Sequence, residues 1–240
     1  MPPPDLLTVS GVDASYDRIQ VLFGASLRVT AGETVAVCGP NGVGKSTLLR
    51  VLSGLLRPDA GTVTFDGADI TRTPAVRRVR LGVTTVVGQS AFGSLSVVEN
   101  LRIHGYAQRS ADVRLGVEAA LAVFPRLAQR ADQPAATLSG GERQMLVLAK
   151  ALIQRPRLLL IDELSLGLAP IVVGGLMQMV RRLNATGLTV VVVEQSVNVA
   201  TMLADRLYFL EKGAVAAEHT AAELRARPDL AAALTLGGHA

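Results

Sequence analysis

The chain has 240 residues, 49% of them hydrophobic and 18% charged, which is enough apolar material for a sizeable core and excludes a disordered chain. Its 24 Lys+Arg exceed its 20 Asp+Glu by a net charge of only +4, and the basic residues sit singly or in short groups such as Arg77-Arg78-Val79-Arg80, so charge does not argue for a nucleic-acid partner. A single cysteine, Cys38, excludes an internal disulfide and a Cys-based zinc site, and His104, His219 and His239 are too far apart in sequence to suggest a histidine-rich metal site.

The first third reads as short strands with tight turns. Leu7 to Ser15 and Val21 to Val29 carry β-branched and apolar residues. Ala31-Gly32 turns the chain into Thr34-Val35-Ala36-Val37-Cys38, a continuous apolar run of the kind a fully buried strand shows. A glycine-rich segment, Gly39 to Gly44, precedes a helical pattern from Lys45 to Leu52 that stops near Gly54. Pro58 to Gly61 is a turn before Thr62 to Phe65, which Asp66-Gly67 closes as a hairpin, and Leu81 to Val87 is a further strand candidate.

In the middle third Val97 to Ala107, Ala111 to Phe124 and Gly140 to Gln154 read as helices. The last third alternates: Leu158 to Ile161 strand, Ile171 to Leu183 helix, Leu188 to Val193 strand, Val197 to Leu203 helix, Leu207 to Leu210 strand. Strand and helix in turn imply an α/β fold with a parallel sheet covered on both faces, and the helical middle reads as an insertion into it. No stretch reaches 18 uncharged apolar residues, so no membrane span is expected, and Met1 to Asp5 lacks the basic and apolar regions of a secretory signal.

Gly39-Pro40-Asn41-Gly42-Val43-Gly44-Lys45-Ser46 fits the pattern G-x-x-x-x-G-K-[ST], between a buried strand and a helix. Glycines let successive backbone N–H groups turn toward phosphate oxygens, and the helix N-terminus adds its dipole. Lys45 would reach the β- and γ-phosphates, and the hydroxyl of Ser46, followed by Thr47, would bind Mg²⁺. The chain has only three lysines, Lys45, Lys150 and Lys212, against 21 arginines. A lysine that stands against such a bias is a candidate for a specific task.

Leu158 to Ile161 ends in Asp162-Glu163, two acids at the carboxyl end of a buried strand, where ligands bind in such sheets. Asp162 would hold Mg²⁺ and Glu163 could act as the general base on an attacking water; the plain alternative is a strand that meets solvent at an acidic turn.

Leu138-Ser139-Gly140-Gly141-Glu142, about 20 residues before the acidic strand end, resembles the signature motif of ABC-transporter ATPases. The order of phosphate loop, Gln89, signature and Asp162-Glu163 resembles the same family over essentially the entire chain. The resemblance implies a P-loop NTPase core with a mainly parallel sheet (residues 1–94 and 155–240), an N-terminal antiparallel β subdomain and an inserted helical subdomain at about 95–154. It implies ATP and Mg²⁺ as cofactors and two ATPs sandwiched between two such domains, each capped by the other subunit's signature. Ser139 with Glu142 three residues on is equally a helix capping box, and the two readings are compatible. On the resemblance Tyr16, 23 residues before Gly39, stacks on adenine, and Gln89 touches Mg²⁺ and the membrane partner.

Two positions depart from the family pattern. Gln195 stands where a histidine usually contacts the γ-phosphate; it can hydrogen-bond but not titrate, which shifts proton transfer onto Glu163. Ala169 stands where many members carry an aspartate that bridges the subunits. Leu164 to Pro170 and Val193-Glu194-Gln195 resemble one of the paired ATPases of branched-chain amino-acid importers, although the segment from Gln89 to Val97 is about two residues short for that group. The implied partners are a second, sister ATPase in a heterodimer, two transmembrane permease subunits and a periplasmic or lipoprotein solute-binding protein, with the chain peripheral on the cytoplasmic face of the plasma membrane. Competing readings are a non-transport clamp or scaffold ATPase and an exporter ATPase.

Overall fold

The computed structural model describes residues 4–87, 91–105, 109–163, 165 and 168–235. β1 (Asp5–Tyr16) and β2 (Ile19–Thr30) form a long antiparallel hairpin, and β3 (Thr34–Cys38) leads through the glycine-rich loop into α1 (Lys45–Ser53). β4 (Ala60–Phe65) and β5 (Ala68–Asp69) follow, joined by Asp66 and Gly67 at φ 53° and 75°. Two successive positive φ values are what a tight hairpin turn needs, and Asp-Gly tolerates them. These strands make an antiparallel sheet in the order β2-β1-β4-β5.

Next come α2 (Ala75–Leu81), β6 (Val83–Val87), α3 (Val97–His104), α4 (Ser110–Val123), α5 (Pro125–Ala128) and α6 (Gly140–Leu152). The alternating part then runs β7 (Leu158–Asp162), α7 (Pro170–Asn184), β8 (Thr189–Glu194), α8 (Val197–Leu203), β9 (Arg206–Glu211), β10 (Ala214–Thr220), α9 (Ala221–Ala226) and α10 (Pro228–Thr235). The second sheet has the order β10-β9-β3-β8-β7-β6, parallel throughout except for the antiparallel edge strand β10.

The period-2 alternation of buried strands divides the apolar residues between two cores. Val35 and Val37, Leu158 and Leu160, and Val191 and Val193 face α1 and the antiparallel sheet. Ala36 and Cys38, Leu159 and Ile161, and Val190 and Val192 face the other way, into a core shared with α3 to α8. The inserted helices therefore have no separate core; Leu101, Phe124 and Leu146 pack in the same cluster as the sheet.

One expectation needs correction. Leu81 ends a helix, not a strand: Gly82, at φ 98°, caps α2 by donating its N–H to the carbonyls of Arg78 and Val79, and β6 starts after it. The sequence after Leu210 forms β10, α9 and α10. β10 is Ala214-Val-Ala-Ala-Glu-His-Thr220, a composition with weak strand preference, and pairing with β9 across the Lys212-Gly213 turn overrides it.

Candidate functional site: a phosphate loop facing two strand-end acids

The parallel register brings the ends of three strands together. Cys38 on β3 pairs with Glu194 on β8, and Val193 pairs with Asp162 on β7. The glycine loop leaves β3 at this edge. A Cβ on Gly39 would lie 2.5 Å from the Leu210 carbonyl oxygen on β9, so only glycine fits against that backbone. Gly44, at φ 112°, ends the loop as the N-cap of α1. That cap makes no side-chain bond, and no acid stands in the first turn of α1, whereas α3, α6 and α9 all begin with Ser or Thr capping boxes. The positive end of α1 is thus built without an internal anion, which suits a phosphate.

Lys45 is 4% exposed and donates from Nζ to the carbonyls of Gly39 (2.8 Å) and Pro40 (3.0 Å), clasping the loop. Burial pushes its ammonium pKa down, while Glu163, Cys38, Asp162 and Glu194 push it back up. Cys38, beneath it, is no nucleophile: burial and then Glu194 raise its thiol to about 12. Pro40, Asn41, Gly42 and Ser46 are exposed, Val43 is half-buried, and Thr47 is buried behind the loop.

Across from the loop, the Ser46 hydroxyl donates to Asp162 Oδ1 at 3.3 Å. A hydroxyl and a carboxylate oxygen at this spacing are the hard donors Mg²⁺ takes while keeping water and phosphate oxygens as its other ligands. Among the described residues no group of three His, Cys, Asp or Glu could hold a metal. Glu163 is next, half-buried, with its N–H donating to the Val193 carbonyl at 3.0 Å. Gln195 is exposed immediately beyond β8. Gln89 lies outside the described residues, as do Leu164, Leu166 and Gly167.

Tyr16, at the end of β1, is 37% exposed and lies against α1: the Arg50 guanidinium is 5.9 Å from its ring centre and Nη1 donates to its hydroxyl at 3.4 Å. A partly exposed aromatic ring beside the helix that follows the phosphate loop is suited to stack on a base.

Leu138 to Glu142 form the start of α6. Ser139 is its N-cap, with the reciprocal bonds of a capping box: Glu142 N–H to Ser139 Oγ (3.3 Å) and Ser139 N–H to Glu142 Oε2 (2.9 Å). Arg130 lies 3.2 Å from Glu142, and Arg143 donates to the Leu138 carbonyl at 2.6 Å. The two glycines differ. A Cβ on Gly140 would meet only Leu168, at 3.7 Å, but one on Gly141 would lie 2.6 Å from Val172 Cγ1 of α7. Gly141 thus has a packing reason to be glycine that the motif does not reveal.

Sequence reasoning missed a pair beside Glu163. Glu194 is 1% exposed, and its carboxylate accepts the Ser165 N–H at 3.1 Å and the Ser165 hydroxyl at 2.8 Å. The available signal was an acid directly following the apolar run Val190 to Val193.

Among the described residues no helix is long and apolar enough to cross a membrane. A family model described as "ABC transporter" matches residues 22–165. The "High-affinity branched-chain amino acid transport ATP-binding protein BraG" of Pseudomonas aeruginosa is 39% identical over 234 residues, covering 97% of this chain and 100% of that protein. The "Probable branched-chain amino acid transport ATP-binding protein LivF" of Archaeoglobus fulgidus is 36% identical over 221 residues, covering 91% and 94%. A crystal structure of an ATP-binding cassette of an ABC transporter in its ADP conformation superposes with a TM-score of 0.88 at 25% identity, covering 98% of this chain and 99% of that one. A phosphate loop facing strand-end acids, a helix capped at Leu138 to Glu142 and these likenesses over almost the full length converge, and the chain belongs to the ATP-hydrolysing, ATP-binding proteins of ABC transporters.

Proposed function

We propose that this chain is the energy-coupling ATPase of a membrane importer for branched-chain amino acids or a related small polar solute. The observation that carries the catalytic reading is the approach of Lys45 and Ser46 to Asp162 and Glu163 at the carboxyl ends of β3 and β7, with Gln195 directly after β8. The likeness to BraG over its whole length supports the solute class.

In this reading residues 1–240 act as one cassette. The loop from Gly39 to Gly44 and the N-terminus of α1 bind the ATP phosphates, and Lys45 exchanges its loop carbonyls for the β- and γ-phosphates. Tyr16 carries the adenine. Ser46 and Asp162, with Gln89, hold Mg²⁺, which neutralises charge on the phosphates when bound. Glu163 orients the attacking water and takes its proton, which suits a site whose Gln195 can donate a hydrogen bond to the γ-phosphate but cannot take up a proton. Leu138 to Glu142 present the Ser139 hydroxyl and the backbone N–H groups of Gly140 and Gly141 to the ATP of a second ATPase subunit.

Gln195 and Ala169 together favour a heterodimer. A homodimer would place a non-titrating glutamine in both sites and lack the bridging aspartate in both halves, whereas a sister subunit carrying histidine and aspartate keeps one contact of each kind. Two permease subunits and a solute-binding protein complete the system, with this chain peripheral on the cytoplasmic face of the plasma membrane.

The test is to purify the chain with its membrane partners, reconstitute them in liposomes with the binding protein, and measure ATPase activity with leucine, isoleucine and valine. Stimulation by these solutes is expected. Glu163→Gln should bind ATP normally and hydrolyse it about 10²–10⁴-fold more slowly. Activity indifferent to amino acids, or wild-type turnover in Glu163→Gln, would overturn the corresponding half of the reading. For the pairing, light scattering on Glu163→Gln with excess ATP should show a dimer only with the sister chain. A tight homodimer that drives transport without a sister would refute it.

A further inference from the structure

Glu163 has a φ of 51°, the left-handed region that non-glycine residues occupy where their surroundings hold them there. Among the described residues, holding groups come from the end of one strand. Val193 accepts the Glu163 N–H at 3.0 Å. Two residues further on, the Glu194 carboxylate accepts both donors of Ser165, the N–H on Oε1 at 3.1 Å and the hydroxyl on Oε2 at 2.8 Å. β8 lies between β3 and β7, so its end is fixed on both sides, and Glu194 itself pairs with Cys38, the residue before the phosphate loop.

A 1% exposed carboxylate is costly unless its oxygens are bonded, and here Ser165 occupies both of them. A buried acid that merely found donors would explain the bonds. It would not explain why they close on the residue two beyond a backbone turned into the left-handed region. Strain of this kind persists where the neighbouring structure over-determines it, and a residue whose carboxylate must meet a water in a fixed direction is where such determination has a use.

We propose that Glu194 is a positioning residue for hydrolysis: by gripping Ser165 through both carboxylate oxygens it fixes the backbone of Glu163 and so aims the Glu163 carboxylate. The proposal rests on the reading of Glu163 as general base. Ser165 is the safer residue to change, because altering it keeps the Glu194 side chain next to Cys38 and Lys45 and removes only one bond to its carboxylate.

The experiment is single-turnover hydrolysis of radiolabelled Mg-ATP by the chain assembled with its sister ATPase and permeases, in excess over ATP and with the sister's own general base neutralised, for Ser165→Ala and Ser165→Thr, each also combined with Glu163→Gln. ATP affinity by titration and the melting temperature are measured alongside. Ser165→Ala should lower the hydrolysis rate on the order of tenfold to a hundredfold with ATP affinity near wild type, while the melting temperature falls because Glu194 Oε2 loses its hydroxyl donor. Ser165→Thr, which keeps the hydroxyl, should recover most of the rate. On the Glu163→Gln background Ser165→Ala should cost nothing further, since its effect passes through the group already lost. A wild-type rate in Ser165→Ala, or the same fold-loss with Glu163→Gln present as without it, would overturn the positioning role while leaving Glu163 as the base. A wild-type rate in Glu163→Gln would instead remove the base reading on which the proposal stands.

Discussion

Arg78 offers the sharpest test of how this fold supports its phosphate loop. It is 1% exposed, and its guanidinium donates to five carbonyls: Thr73 (2.8 Å), Val51 and Leu52 (2.8 Å each), Ile70 (2.6 Å) and Thr71 (3.3 Å). Two of these belong to the last turn of α1, so one buried cation satisfies the C-terminal carbonyls of the helix whose other end carries the phosphate loop, and it complements the helix dipole. Burial pushes its pKa down to about 10, which leaves it charged at neutral pH. Arg78→Lys can keep at most three of the five bonds. At about 1.5 kcal/mol for each charge-assisted bond lost, the substitution should cost about 3 kcal/mol. Arg78→Met loses all five bonds but also relieves the desolvated charge, and should cost about 3–5 kcal/mol, from the buried carbonyl oxygens left without this donor. For a chain of 240 residues, 3 kcal/mol corresponds to a fall in melting temperature of about 6–12 °C. The assay is urea unfolding with thermal melting, with and without saturating Mg-ATP. The loop is about 13 Å away along α1, so the ATP-induced rise in melting temperature should match wild type. A loss below about 1 kcal/mol in Arg78→Lys would refute the argument that this guanidinium closes α1.

Other outcomes follow from the same geometry. Lys45→Ala should weaken ATP binding by at least about 100-fold in calorimetric titration, since a charge-assisted phosphate contact contributes about 3 kcal/mol; it should also lower the melting temperature of the chain alone, because Gly39 and Pro40 lose their shared donor. Unchanged ATP affinity would remove Lys45 from the site. Gly141→Ala should destabilise by about 1–3 kcal/mol because its Cβ would meet Val172 Cγ1 at 2.6 Å, and Val172→Ala in the same chain should recover most of that loss. A neutral single substitution, or no recovery in the pair, would contradict the packing account. His104 has an ordinary pKa of 6.5 lowered to about 4, first by burial and then by Lys150. The unfolded state therefore binds more protons between those values, so stability is lost as pH falls from 6.5 toward 4. Because the ring is partly exposed, the loss is set at about 1–2 kcal/mol. His104→Gln should flatten that part of the stability profile relative to wild type, and an identical profile would count against it.

The elements that the sequence determined by itself are those whose cause is local. The apolar runs of β3, β7 and β8, the Asp66-Gly67 turn, the phosphate loop and the capping box at Ser139 each depend on residues within about eight positions of one another, and all are visible as period, spacing or turn chemistry. Asp162 and Glu163 were legible for the same reason, because a strand's last residues meet whatever lies at its end. What tertiary structure decided are contacts made across the fold. Arg78 read as one of many arginines, yet its partners on α1 are 26 and 27 residues away. Glu194 read as the residue before Gln195, yet it grips Ser165 across 29 residues, and Gly141 read as a motif glycine although Val172 requires it. The same holds for β10, whose alanine-rich sequence becomes a strand because β9 presents an edge of unpaired backbone groups to it. A sequence records which groups are able to donate, accept or fill space. The packing of the sheet determines which of them meet, because a buried polar group or a close backbone approach is satisfied only by whatever the fold brings within a few ångströms of it.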